Sequence, residues 1–192
     1  MKKLLPIFIL PIMVGCFTAS ERSVTSWTIE YTAPCELSKA PRVDKSKSIE
    51  TLKLVQIEVR SPYNRADIAV RRANGSLVFD AYNVFAAQPQ SLFKGLVFDV
   101  LKNSGVAKSV VGANSSVKTA DTIEVTVEKL ELNCRKAPSR YAEVALSLRR
   151  LKNNEVVNTA MGAAAVQVEN GDFGAAFSLA AVRAVEAAIN SL

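Results

Sequence analysis

Apolar residues recur along this chain with two periods, and the changes of period mark its elements. Trp27, Ile29 and Tyr31 alternate with polar residues, which predicts a half-buried strand ending before Pro34. Residues 38–48 mix Pro41 with Lys, Asp and Ser and read as a loop. Leu52 to Val59 is apolar on both faces, as in a central strand. Ile68 and Val70 lie in a short strand ending at Arg71 and Arg72, Asn74-Gly75 signals a tight hairpin, and Leu77 and Phe79 begin the return.

The period then lengthens. Pro89 stands where a helix would start, Leu92, Phe93, Leu96, Val97, Val100 and Leu101 share one stripe, and Gly105 supplies a stop. A helix from Pro89 to Ser104 would be about 24 Å long. Val106 to Val111 can form a short strand, and alternation returns in Thr122 to Cys134. In the latter, the apolar set moves from Ile123, Val125 and Val127 to Leu130, Leu132 and Cys134, which predicts a bulge near Glu128-Lys129. Tyr141 to Leu151 and the Ala-rich Glu155 to Glu169 flank a turn at residues 152–154. Asp172 can cap a final helix with a stripe through Phe173, Phe177, Ala180, Ala181, Ala184, Ala188 and Ile189. Six to eight strands and two helices predict a single α+β domain: a mixed, mostly antiparallel sheet with both helices packed on one face.

The N-terminus has a different character. Lys2 and Lys3 precede an apolar run, Leu4 to Val14, that is too short to span a bilayer and has the shape of a secretory signal. Met13-Val14-Gly15-Cys16 resembles the bacterial lipobox, in which a small residue precedes a cysteine that becomes lipid-modified and N-terminal. The expected organisation is a signal peptide at 1–15, a lipid-anchored tether at 16–26 and a periplasmic domain at 27–192. Cys16 would carry diacylglycerol and an N-acyl chain such as palmitate, and no other cofactor is expected. An ordinary cleaved signal with Cys16 as a stray thiol is the competing reading. Phe17, rather than Asp, follows the cysteine, which points to the outer membrane where lipoproteins are sorted by that residue.

Cleavage before Cys16 leaves 177 residues and lowers the net charge from +6 to +4, an ordinary charge for solubility. Without a basic run interleaved with aromatics, nucleic acid is not an expected partner. Cys35 and Cys134 remain, an even number in an oxidising compartment, and are expected to form a disulfide closing a loop of roughly 100 residues; two free thiols are the alternative. The chain contains no histidine, so no Ser-His-Asp or Cys-His site can be built. Glu124 and Glu128 lie on one strand and read as solvated face charges rather than as a glycosidase pair. No enzymatic activity is expected.

One stretch carries a family likeness. It runs from Arg60-Ser61-Pro62-Tyr63-Asn64-Arg65 through Ile68 and Arg71-Arg72, passes a hairpin, and continues from Phe79-Asp80-Ala81-Tyr82-Asn83-Val84-Phe85 to Pro89 and the amphipathic helix. With the lipobox-like start, this resembles the ABC-type transport auxiliary lipoproteins, accessory components of MCE-type lipid transport. Arg65, Ile68 and Arg71 match the spacing of that family's Arg-x-x-Ile-x-x-Arg stretch, although its members usually carry Trp near the position of Phe85. The resemblance implies a compact αβ domain on the periplasmic face of the envelope. It would bind an MCE-family protein and its ABC transporter and help move phospholipid or other hydrophobic cargo. Pro62, Tyr63, Arg65, Tyr82 and Phe85 are the candidate partner contacts, with Tyr82 and Phe85 also readable as core beneath the first helix. A homo-oligomer is left open. The rival function is an outer-membrane assembly lipoprotein that supports a β-barrel.

Overall fold

The computed structural model describes residues 23–31 and 49–192. Its axis is the long strand β6, Asp121–Asn133, whose Ile, Val and Leu residues alternate into the core. Along one side it pairs antiparallel with β7, Tyr141–Lys152, which pairs in turn with β8, Glu155–Gln167. Along its other side it meets two strands in succession, both parallel to it: β2, Ile49–Val59, from Leu52 to Val59, then β3, Asp67–Arg71, at its C-terminal end. Residues 60–66 are therefore a loop that leaves the sheet and re-enters it farther along the same neighbour. Outside β3 lies β4, Leu77–Phe85, and outside that β1, Thr25–Trp27. Outside β2 lies β5, Ala107–Gly112.

Among the described residues, the eight strands and two helices make one mixed α+β sheet domain. The expectation of mostly antiparallel pairing is corrected: four of its seven strand pairings are parallel. Only β3–β4, β6–β7 and β7–β8 are neighbours in both sequence and space. The first half of the chain is joined by crossovers, which parallel pairs require. The first predicted strand is also shorter and shifted. Pairing stops at Trp27, and the chain then crosses onto the last helix, where Ile29 is buried and the Glu30 N–H donates to Ser178 Oγ at 3.0 Å. Thr25 and Ser26, expected in the tether, belong to β1.

Helix α1, Pro89–Ser104, begins with proline in its first turn and ends at Gly105, whose φ of 75° suits a residue without Cβ. It packs on β2 and β5 and against helix α2, Phe173–Ile189, which lies on β7 and β8. Asp172 caps α2 by accepting from the Ala175 N–H at 2.9 Å. The alanines at 180, 181, 184 and 188 are wholly buried, and they let α2 approach β8 until a Cβ at Gly162 would lie 1.9 Å from Ala184 O.

The expected bulge is present. The β6–β7 register shifts between Val127 and Lys129, and the buried residues change from Ile123, Val125 and Val127 to Leu130 and Leu132. The tight primed turn lies at Asn153 and Asn154, both at positive φ, rather than at Asn74-Gly75. There Gly75 alone has positive φ, and the turn is widened by the Arg72 N–H donating to Ser76 O.

Candidate functional site

The loop at 60–66 is held down by a buried carboxylate. After the bulge, Leu130 and Leu132 point into the core, and Glu131 between them points to the opposite face of the sheet. It is nevertheless only 2% exposed, because Tyr63 and Arg71 lie over it. Removing an ion from water costs several kcal/mol, so such a group requires close partners. The Tyr63 hydroxyl donates to Glu131 Oε2 at 2.8 Å, and Arg71 donates from Nη2 to Oε2 at 2.7 Å and from Nε to Oε1 at 3.2 Å. This is the bidentate arginine–carboxylate arrangement. Arg71 Nη1 also donates to Gly75 O at 3.1 Å, tying the β3–β4 hairpin to the same point.

The electrostatics follow from the contacts. Burial pushes the Glu131 carboxyl up, but the hydrogen bonds of Arg71 and Tyr63 and the charges of Arg71 and Lys129 outweigh it, leaving it below its ordinary value. The Tyr63 phenol is raised, first by burial and then by its bond to Glu131. Arg71 is held charged above its ordinary value, chiefly by its bond to Glu131. The network continues across the sheet. Lys129 Nζ lies 3.1 Å from Glu143, and Asn133 Nδ2 donates to the same carboxylate at 2.7 Å.

Above this network the loop presents Ser61, Pro62, Asn64 and Arg65, all exposed. Arg65 pairs with Asp67 and places its guanidinium 4.1 Å from the centre of the Phe79 ring. Arg60 reaches Glu128 at 2.8 Å, and Arg149 reaches Glu124 at 3.3 Å, so the two carboxylates weighed as a pair each have a separate cation.

The five candidate contacts divide three ways. Pro62 and Arg65 lie together on the exposed loop. Tyr63 is half-buried with its hydroxyl committed to Glu131, so it acts as the loop's anchor. Tyr82 is 46% exposed on a local expansion of β4, where one residue of β3 faces four of β4 and Asp80 accepts from the Tyr82 and Asn83 N–H groups. Phe85 is core: it is 3% exposed and packs edge-on against Phe177, with ring centres 5.3 Å apart. Its backbone N–H donates to Ala66 O, which fastens the far end of the loop. Glu131 and Glu143 are not singled out by sequence, and Lys129 only as a marker of the bulge, because a charge alternating with apolar residues on a strand looks like a solvated face.

Cys16 and Cys35 lie outside the described residues. Cys134 is half-buried just beyond β6, and burial raises its thiol. A cavity of about 280 Å³ opens at the other end of the core, lined by Ile49, Leu52, Val106, Ile123, Ile189 and Leu192. Arg150 at its wall is already paired with Asp121 at 2.6 Å. Among the described residues no cluster of three metal-ligating side chains occurs, and no helix is long and apolar enough to cross a membrane.

The fold is one already seen in solved structures. Its likeness to protein XCC0632 from Xanthomonas campestris, of family DUF330, has a TM-score of 0.62 over 88% of this chain and 91% of that one, at 16% identity. An uncharacterized protein matches with a TM-score of 0.51 over 88% and 95% of the two chains, at 9% identity. At such identities the likeness establishes the fold alone. No family model matches the sequence, and no curated protein does.

Proposed function

We propose that this chain is an envelope lipoprotein, held at the outer membrane through acylated Cys16, that acts by binding a partner protein and catalyses nothing itself. The partner is an MCE-type component of an ABC transport system, and the cargo is phospholipid or another hydrophobic molecule. No cofactor is needed beyond the acyl groups on Cys16. The address is supported by Lys2-Lys3, the apolar run, Met13 to Cys16 and Phe17. The observation that carries the binding role is the pinned loop. Tyr63 is tied to Glu131, and Arg71 ties the adjacent hairpin to the same carboxylate. Exposed Pro62, Asn64 and Arg65 are thereby presented on a rigid support. A contact surface fixed in advance loses less conformational freedom on association.

The test uses the tagged, full-length, lipidated chain and asks whether the MCE protein encoded beside it co-purifies. Arg65→Ala with Tyr82→Ala removes two exposed side chains and should lower capture at least tenfold while leaving the melting temperature within about 2 °C, since exposed ion pairs contribute little. Undiminished capture would remove these residues from the interface. Recovery of an outer-membrane β-barrel in place of an MCE protein would favour the assembly role.

A further inference from the structure

Each sheet edge must be guarded or used, since an open strand presents a row of unpaired N–H and C=O groups. Among the described residues three strands lie at edges. β1 is three residues long. β5 is six residues long and carries Lys108, which pairs with Glu50. β8 is thirteen residues long and pairs only with β7. Its regular run, Asn158 to Gln167, contains no charged residue and no proline, the two usual guards. Three of the large apolar side chains that stay exposed belong to β8: Val156 at 48%, Val157 at 52% and Met161 at 70%.

From this we propose that β8 is an interaction edge whose occupant is the β8 of a second copy of this chain, added antiparallel across a two-fold axis. The charge pattern selects that occupant. After cleavage before Cys16 each copy carries +4, so two copies approach with like net charge, but the edge run is neutral and brings no like charges together. A charged partner would find nothing complementary along it. An antiparallel two-fold pairing makes the strand its own complement, as isologous interfaces require. Ten residues pairing in full register form about ten backbone hydrogen bonds, the number typical of a specific interface. The strand is also pre-shaped. On its other face α2 presses so closely that only glycine fits at 162, which fixes the backbone before a partner arrives. The inference goes beyond the partner-binding role above and does not depend on it.

The experiment takes the full-length lipidated chain in detergent, carried with two different affinity tags in one cell. Mass is measured by light scattering at about 50 µM protein, and one tagged copy is captured through the other. The expected result is a two-copy particle with mutual capture. Met161→Lys with Ala163→Lys places four cations along the paired edges and should lower mutual capture at least tenfold. Both positions are exposed, so the melting curve should hold. A wild-type monomer would overturn the proposal, as would a dimer indifferent to the two lysines. A closed assembly of more than two copies built through β8 would also overturn it, because paired edges are exhausted after two.

Discussion

Replacing Gly162 by alanine adds one methyl group where α2 has left no space for it. A Cβ there would lie 1.9 Å from Ala184 O, 2.8 Å from Ala188 N and 2.9 Å from Ala184 C. All three atoms are helix backbone, so no rotamer change relieves the clash. Restoring ordinary contact requires the helix to retreat by about 1.5 Å at Ala184, the gap between 1.9 Å and the 3.4 Å where normal contacts begin. A gap of 0.5–1 Å already forfeits a quarter to a half of the dispersion well for the atoms beside it. Phe177, Ala180, Ala181, Ala184 and Ala188 are wholly buried on α2, so several well-packed rows would loosen together. Overpacking typically costs 1–3 kcal/mol, and this case belongs at the upper end, about 3 kcal/mol. For a domain of this size that lowers the melting temperature by roughly 6–12 °C. Gly95→Ala is the matched control. That glycine lies inside α1, is exposed, and its Cβ would meet nothing within 4 Å. Alanine there should stabilise by about 0.5–1 kcal/mol, as it does inside helices generally. Thermal melts followed by circular dichroism, with urea titrations, measure both. A Gly162→Ala protein that melts with or above the wild type would refute the close approach of α2 to β8.

The polar network makes two further predictions, and the cysteines make one. Glu131 ionises below its ordinary value when folded, so its stabilisation is complete above the unfolded carboxyl value near 4.3 and is lost as pH falls through the lower folded value. The wild-type urea midpoint should therefore fall more steeply between pH 5 and pH 3 than that of Glu131→Gln; parallel curves would remove Glu131 from the acid response. Tyr63→Phe deletes one donor to a buried carboxylate and should cost about 1.5–3 kcal/mol, read as a lower urea midpoint with an unchanged slope. Mass mapping of native, unreduced protein should recover the Cys35 and Cys134 peptides joined, and recovery of both as alkylated free thiols would rule out the disulfide.

What could be read in advance was what is local. Pro89 and Gly105 bound α1, Asp172 caps α2, and the shift from Val127 to Leu130 marks the bulge, because caps, turns and one-residue register changes are written in neighbouring residues. Strand direction is not local. Nothing in Leu52 to Val59 reveals that its neighbours are β5 and β6 rather than β3, and what reads as two apolar faces is one buried face shifted by a bulge between Leu54 and Gln56, which leaves Val55 42% exposed. The site followed the same division. Pro62, Tyr63 and Arg65 stand out as a loop between strands, whereas the group that anchors the loop is 68 residues beyond Tyr63. Glu131 gives no sign of burial in the sequence, because alternation reports which face a side chain takes and not what covers that face. The cover is supplied by the order of strands: β2 and β3 must follow one another along the same side of β6 for residues 60–66 to arch over Glu131. The parallel pairings that periodicity missed are thus the reason the carboxylate is buried. A change that separated β3 from β6 would be expected to release the loop and expose Glu131 together.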